Sequence, residues 1–383
     1  MSVTAASGFT AAGVTAGLKT FGGLDLALVV NEGPLRSAAA VFTSNRAKAN
    51  PIIWSQQVIA DGTVSAIVLN SGGANCFTGA EGFQTTHATA EAVGEDLGVS
   101  AGDILVCSTG LIGEQLDRAK LLAGAHLAAV ERTANGGADA ARAIMTTDSK
   151  PKTAVVRRGG WTIGGMAKGA GMLAPGLATM LVVITTDAVL LPAQLDAALR
   201  QATRVSFDRL DSDGCMSTND QVTLLASGAS GEEPEPTEFT AALVELCQDL
   251  ARQLQADAEG ASHDIAIEVV GAADEDDAVE VGRAVSRSNL FKAAVFGNDP
   301  NWGRVLAAIG TTAAAFDPYE VDVSMNGVRV CAAGGPDRPR TEVDLRPREV
   351  HVLIDLHAGS AHATILTNDL THDYVHENSA YAS

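Results

Sequence analysis

The chain has 383 residues, 46% of them hydrophobic, and a formal net charge of −20. That length can bury large cores, and the negative charge argues against a nucleic-acid partner. No run of about 18 apolar residues lacks a polar break, so no membrane span is expected. The N-terminus Met1-Ser2-Val3-Thr4-Ala5-Ala6 has no basic residue before an apolar stretch, so no secretory signal is expected. The five cysteines, Cys76, Cys107, Cys215, Cys247 and Cys331, lie far apart and form no C-x-x-C pair. Reduced thiols in the cytoplasm fit them best.

In chain order, 24–30 and 38–43 read as strands around a Gly-Pro turn, and 64–69 as a third strand ending in the small polar loop Asn70 to Gly79. That loop reads equally as a turn or as the lining of a site. Residues 83–97 are helical, and Ile104-Leu105-Val106-Cys107 is a buried strand running into Ser108-Thr109-Gly110. A strand ending in Thr-Gly can aim a hydroxyl and an unobstructed N–H at one oxygen, as a tetrahedral intermediate requires. A plain strand-to-helix turn explains the same residues. Residues 116–133 are helical, Gly136-Gly137 breaks them, and a short helix 138–145 ends in Thr146-Thr147-Asp148. Val155-Val156 and Trp161-Thr162-Ile163 flank Arg157-Arg158-Gly159-Gly160 as a hairpin.

The next stretch changes character at one peptide bond. Lys168 to Ala178 is rich in glycine and proline, whereas Thr179-Met180-Leu181-Val182-Val183-Ile184 is a β-branched apolar run. A threonine thus stands where a loop enters a core strand, which is ordinary for threonine. Were Ala178–Thr179 cut, Thr179 would carry a hydroxyl nucleophile and a free amine base on one residue. The glycines around Lys168 do not make a phosphate loop, because Lys168 is followed by Gly169 and not by Ser or Thr.

Beyond Thr179, residues 192–205 are helical, 221–226 form a strand, and 231–236 are a solvated linker. Asp211-Ser212-Asp213-Gly214 is no calcium loop, because its twelfth position is Val222. A helix 239–258 ends in Glu259-Gly260 before the strand 265–270, which leaves Glu259 either at a cleft or at an exposed helix end. Acids at 274–277 match the dipole of a helix read as continuous over 278–295. Residues 305–309 form a short helix, and Asn326-Gly327 marks a hairpin. His351, Leu353, Asp355 and His357 share one face of an alternating strand, too far apart to chelate one ion, so no metal site is expected. Residues 1–178 hold 13 acids and 13 bases, while 179–383 hold 33 acids and 13 bases. A soluble acidic surface accounts for that asymmetry; steering of a cationic substrate is the second reading.

The stretch Lys168-Gly169-Ala170-Gly171-Met172-Leu173-Ala174-Pro175-Gly176-Leu177-Ala178-Thr179-Met180-Leu181 resembles the self-cleavage signature of the ornithine acetyltransferase family, the glutamate N-acetyltransferases of arginine biosynthesis. Gly176-Leu177 replaces a pair that is usually more polar. The loops 213–220 and 297–304 and the tail Asn378-Ser379-Ala380-Tyr381-Ala382-Ser383 extend the resemblance over essentially the whole chain.

The resemblance implies an α/β class, a layered α/β sandwich of the ornithine acetyltransferase/DmpA-like type, self-cleaved into two interwoven chains. Residues 1–178 would be the α chain and 179–383 the β chain, assembled as a heterotetramer of two of each. It implies Thr179 as nucleophile, Thr109 and Gly110 as oxyanion hole, and Thr146 or Thr147, Lys168, Thr179, Glu259, Asn378 and Ser383 as substrate-binding residues. The expected reaction is ping-pong transfer of acetyl from N-acetylornithine to glutamate without metal or bound cofactor; acetyl-CoA as a further donor stays open. The rival readings are an N-terminal-nucleophile amidohydrolase or aminopeptidase with water as acceptor, and a non-catalytic metabolite-binding protein.

Overall fold

A computed structural model describes residues 2–174 and 180–380, so the Ala178–Thr179 bond and Ser383 lie outside the described residues. Among the described residues three sheets carry the fold. The first is four-stranded, in the order Phe9–Val14, Leu26–Asn31, Ala66–Asn70, Ile104–Ser108. The second has five strands, Ser37–Phe42, Gln221–Ala226, Leu181–Thr186, Trp161–Lys168 and Lys152–Arg158. The third has six, running from the two-residue Gly335–Pro336 through Val328–Ala332, Asp322–Met325, Glu349–Asp355 and Asp264–Ala272 to Ala361–Asn368.

The apolar run after Thr179 shows how the layers stack. Leu181 and Val183 enter one core with the four-stranded sheet, whereas Val182 and Ile184 enter another beneath the helices Pro192–Arg204 and Pro236–Ala256. A strand alternates its side chains, so covering both faces demands an unbroken hydrophobic run. The helices Asn50–Val58, Gly79–Leu97 and Arg118–Glu131 add Trp54, Val93, Leu121 and their neighbours to the first core. The result is helices, sheet, sheet, helices. The six-stranded sheet builds a separate core with the helices Glu275–Ser286, Asn289–Phe296 and Trp302–Ile309. The segments before and after Thr179 meet inside the five-stranded sheet, where Leu181–Thr186 is antiparallel to Trp161–Lys168 and parallel to Gln221–Ala226.

Several elements depart from the sequence reading. The helix expected over 278–295 is two, because the Ser288 hydroxyl accepts the Phe291 N–H and starts a new helix. The strands on either side of the Gly-Pro turn do not pair: Leu26–Asn31 stays in the four-stranded sheet, while Ser37–Phe42 crosses to the five-stranded sheet beside Gln221–Ala226. The Asn-Gly hairpin forms as expected, with Met325 opposite Val328 and positive φ at Asn326 (45°) and Gly327 (81°). Among the described residues no helix is long and apolar enough to cross a membrane.

Candidate active site

The site assembles where the four-stranded and five-stranded sheets end together. Thr109 follows the strand Ile104–Ser108. Its N–H donates to Asn70 O at 2.9 Å, and its carbonyl accepts the Gly73 N–H at 3.0 Å. Gly110 has φ of +127°, and a Cβ there would stand 2.8 Å from Gly73 N. The Asn70–Gly73 loop therefore clamps the Thr109-Gly110 peptide. Asn219 reaches over from the 213–220 loop, donating to Ala74 O at 2.6 Å and Ser108 O at 2.8 Å.

Lys168 ends the strand Trp161–Lys168 and is 1% exposed. Its Nζ donates to Thr109 Oγ1 at 3.2 Å. Burial pulls the Lys168 ammonium below the ordinary lysine pKa; Asp148 opposes this and Lys152 adds to it. Lys168 sits in register with Leu181, the second residue after Thr179. Met180 is pinned on both sides: its N–H donates to Asp220 Oδ1 at 3.0 Å, and its carbonyl accepts the Gln221 N–H at 3.2 Å. Asp220 is fully buried, and its Oδ2 has no hydrogen-bond partner among the described residues. Burial pushes its carboxyl well above the usual carboxylate range, against the pull of the Met180 N–H, Ser217 and Lys168.

Asp148 is the hub behind these groups. Oδ1 accepts Lys152 Nζ at 2.6 Å and the Gly169 N–H at 2.7 Å, and Oδ2 accepts the Thr146 N–H at 3.0 Å. Burial works against its ionisation, but the Lys168 and Lys152 ammoniums hold the carboxyl below the usual value. Lys152 Nζ also donates to Asp257 Oδ2 at 2.6 Å.

Two residues beyond Asp257, Glu259 gathers the remaining groups. Thr147 Oγ1 donates to its Oε1 at 2.7 Å, and Asn378 Nδ2 to its Oε2 at 3.0 Å. Its N–H donates to Ala170 O at 3.0 Å, which ties the turn to the start of the glycine-rich stretch. A Cβ on Gly171 would lie 2.4 Å from Glu259 Oε2, so only glycine lets the carboxylate approach. Thr147, Asp257, Glu259, Arg348, His372 and Glu377 border a polar cavity of about 490 Å³. The C-terminal tail is anchored through Asn378 and through Thr371 Oγ1, which donates to Gly260 O at 2.6 Å.

Of the residues singled out in the sequence, Thr109 and Lys168 are in direct contact, as are Thr147, Glu259 and Asn378. Gly110 adjoins the first group, and Thr146 joins through Asp148. Sequence reasoning missed Asp148, Lys152 and Asp257, and it picked out Asn219 and Asp220 only as members of the 213–220 loop, without a role. The Thr-Thr-Asp motif contains the first of these, but the roles it implies lie on its threonines.

The ArgJ family model matches residues 10–383. The chain belongs to the ArgJ family. The arginine biosynthesis bifunctional protein ArgJ of Streptomyces coelicolor is 64% identical over 383 residues, 100% of both chains. That of Thermobifida fusca is 62% identical over the same span, again 100% of both. Among solved structures, an ornithine acetyltransferase from Mycobacterium tuberculosis in complex with ornithine is 53% identical, covering 47% of this chain and 96% of that one with a TM-score of 0.45.

In this ArgJ-family chain the clamp on Gly110 has a direct consequence. Gly110→Ala places a methyl group against the Gly73 backbone at a φ that side chains avoid. We expect a loss of stability on the order of 1–3 kcal/mol, measured by chemical denaturation. A variant as stable as the parent would show that the Asn70–Gly73 loop yields freely.

Proposed function

We propose that this chain cuts itself at Ala178–Thr179 and then uses Thr179 to carry an acetyl group from N2-acetylornithine to glutamate. Family membership makes the chain an acyltransferase of arginine biosynthesis; the residue roles that follow are our reading. In processing, the Thr179 hydroxyl attacks the Ala178 carbonyl, the peptide becomes an ester, and water releases it. The new α-amine, with a reference pKa of about 7.7–8.0, then takes the hydroxyl proton during attack on the acetyl carbonyl. Ornithine leaves with that proton, and the acetyl-threonine passes its acyl group to glutamate.

The observation that carries this reading is the buried contact of Lys168 with Thr109. An ammonium only donates, so Thr109 Oγ1 accepts, and its own hydrogen remains to donate elsewhere. Beside the Gly110 N–H, that hydrogen suits a developing oxyanion. The register of Lys168 with Leu181 supports placing this pair next to the strand Leu181–Thr186, whose first residue is two positions beyond Thr179. Glu259, with Thr147 and Asn378, supplies an anion and polar contacts for the substrate's ammonium. Thr146 and Ser383 complete the substrate set in this reading. We extend it to acetyl-CoA as a second donor to the same threonine, to an assembly of two α and two β chains, and to the cytoplasm.

Intact mass spectrometry with an acetyl-transfer assay tests the proposal. We expect two fragments, the second starting at Thr179, an acetyl adduct on that fragment after a pulse of N-acetylornithine or acetyl-CoA, and N-acetylglutamate once glutamate is added. Free acetate as the main product would replace the transferase with a hydrolase. An active, uncut chain would end the processing scheme.

A further inference from the structure

In a chain with 46 acids and 26 bases, four arginines line a single cleft of about 480 Å³. Two stretches of chain bring them there. Arg204 ends the helix Pro192–Arg204, and Arg209 closes the turn Phe207–Arg209. Arg283 and Arg287 lie four residues apart at the end of the helix Glu275–Ser286, so they share one face of it. Asp208 and Asp276 are the acids of the described lining. None of these residues borders the cavity beside Glu259.

One carboxylate, Glu275, serves two of the four: Arg204 Nη2 donates to its Oε2 at 2.9 Å and Arg209 Nη2 to its Oε1. Arg204 Nη2 also stands 3.6 Å from Asp276 Oδ1. Arg287 Nε donates to Asp211 Oδ2 at 2.8 Å. Arg283 Nη2 spends itself on a neutral acceptor, the Asp208 carbonyl, at 3.0 Å. Arg209 is the buried member, 7% exposed. Its Nε donates to Arg204 O at 3.0 Å, but its Nη1 has no hydrogen-bond partner among the described residues, and neither has Arg283 Nε. A buried donor left unpaired costs stability, and an acceptor that reaches it recovers that cost. The cations also face one another. Burial pulls the Arg209 guanidinium below the ordinary arginine value; Glu275 opposes this and Arg204 adds to it. Burial does the same to Arg283, where Asp211 and Asp208 oppose it and Arg287 and Arg209 add to it. An anion held among these groups relieves their repulsion as well as their desolvation.

We infer that this four-arginine cleft binds a phosphate-bearing anion. Planar guanidinium forks match phosphate oxygens two at a time, and several of them together suit a dianion better than a lone carboxylate. That chemistry has two sources, free orthophosphate and the phosphates of coenzyme A. The inference goes beyond the acetyl-transfer reading and stands without it, because none of these arginines has a part in that mechanism. The loop that Arg287 grips at Asp211 continues into Ser212, whose N–H donates to Leu173 O at 2.6 Å, so one loop joins the cleft to the glycine-rich stretch.

The test is calorimetric titration of the full chain with inorganic phosphate, at an ionic strength held constant with chloride. The parent is expected to bind one phosphate per chain. Arg283→Gln should weaken binding roughly ten- to hundredfold, the range for a charge-assisted hydrogen bond. Arg204→Gln removes an exposed charge and should weaken it about two- to fivefold. Asp276→Asn removes a carboxylate from the lining and should tighten it by about the same factor, a gain that a purely structural arginine cluster would not give. Arg204 and Asp276 are exposed, so these two variants keep the test open should Arg283→Gln lose its fold, which circular dichroism checks. Displacement of the bound phosphate by coenzyme A identifies coenzyme A as the source; phosphate that stays bound in its presence identifies free phosphate; either result upholds the site. No saturable phosphate binding by the parent, or binding that Arg204→Gln and Asp276→Asn both leave unchanged, overturns the inference.

Discussion

Thr179→Ala is expected to purify as one uncut polypeptide with acetyl transfer reduced at least about 10⁴-fold, the scale on which removing a nucleophile acts. The size follows from one residue holding two roles. Without the hydroxyl the backbone has no internal attacker, so the α-amine is never released, and the base is lost along with the nucleophile. The fold should survive, because the anchors of the strand lie one residue further on. The Met180 N–H still reaches Asp220, and the Met180 carbonyl still accepts the Gln221 N–H. Circular dichroism and a denaturing gel separate the two effects. Thr179→Ser, which keeps a hydroxyl, should still be cut. Two fragments from Thr179→Ala, or acetyl transfer by it at more than a few per cent of the parent, would remove Thr179 from the mechanism.

How much of this was readable beforehand depends on the kind of signal. The run Thr179 to Ile184 announced a buried strand, and its described part from Leu181 onward is one, covered on both faces. The Asn326-Gly327 turn announced its hairpin, because few residues other than asparagine and glycine accept two positive φ values in succession. By contrast, the helices Asn50–Val58 and His372–Ala380 escaped notice: each is short, and its apolar periodicity is weak. The break at Ser288 was missed because a serine inside an apolar pattern reads as helix unless its capping bond is visible. The crossing of Ser37–Phe42 into another sheet is a tertiary choice that its alanine-rich sequence does not encode locally.

The site divides in the same way. Thr109, Lys168 and Glu259 were singled out because motifs carry them. Asp148, Lys152 and Asp257 form a buried cluster whose members lie up to 109 positions apart in the sequence (148 to 257), and nothing in the sequence marks a charge as buried. Lys152 occupies an inward position of an alternating strand, where an apolar residue is expected. That exception to the pattern was the available clue.

Lys152→Met is expected to destabilise the protein by about 3–5 kcal/mol at neutral pH, the cost of removing one partner from a buried ion pair. Lys152 is 0% exposed, and its Nζ stands 2.6 Å from both Asp148 Oδ1 and Asp257 Oδ2. The substitution leaves two buried carboxylates without the cation between them. Acidity gives the sign. Burial opposes ionisation of Asp148, yet Lys168 and Lys152 hold its carboxyl below the unfolded value of about 3.9. A depressed carboxylate stabilises the fold above that unfolded value, and the contribution is lost as pH falls through the lower folded value. Without Lys152 the carboxyl titrates higher, so the deficit is largest near neutrality and narrows on acidification toward pH of about 4. Denaturant titrations at several pH values measure it, and adding Asp257→Asn should recover part of the loss by removing one of the stranded charges. A deficit that widens as the pH falls would contradict this electrostatic origin. The same cluster bears on the two-chain reading. Lys152 and Asp148 precede Thr179 and Asp257 follows it, so after cleavage this ion pair joins separate polypeptides. Lys152→Met should therefore also loosen the α chain from the β chain, and partial dissociation on dilution, which the parent resists, would report it.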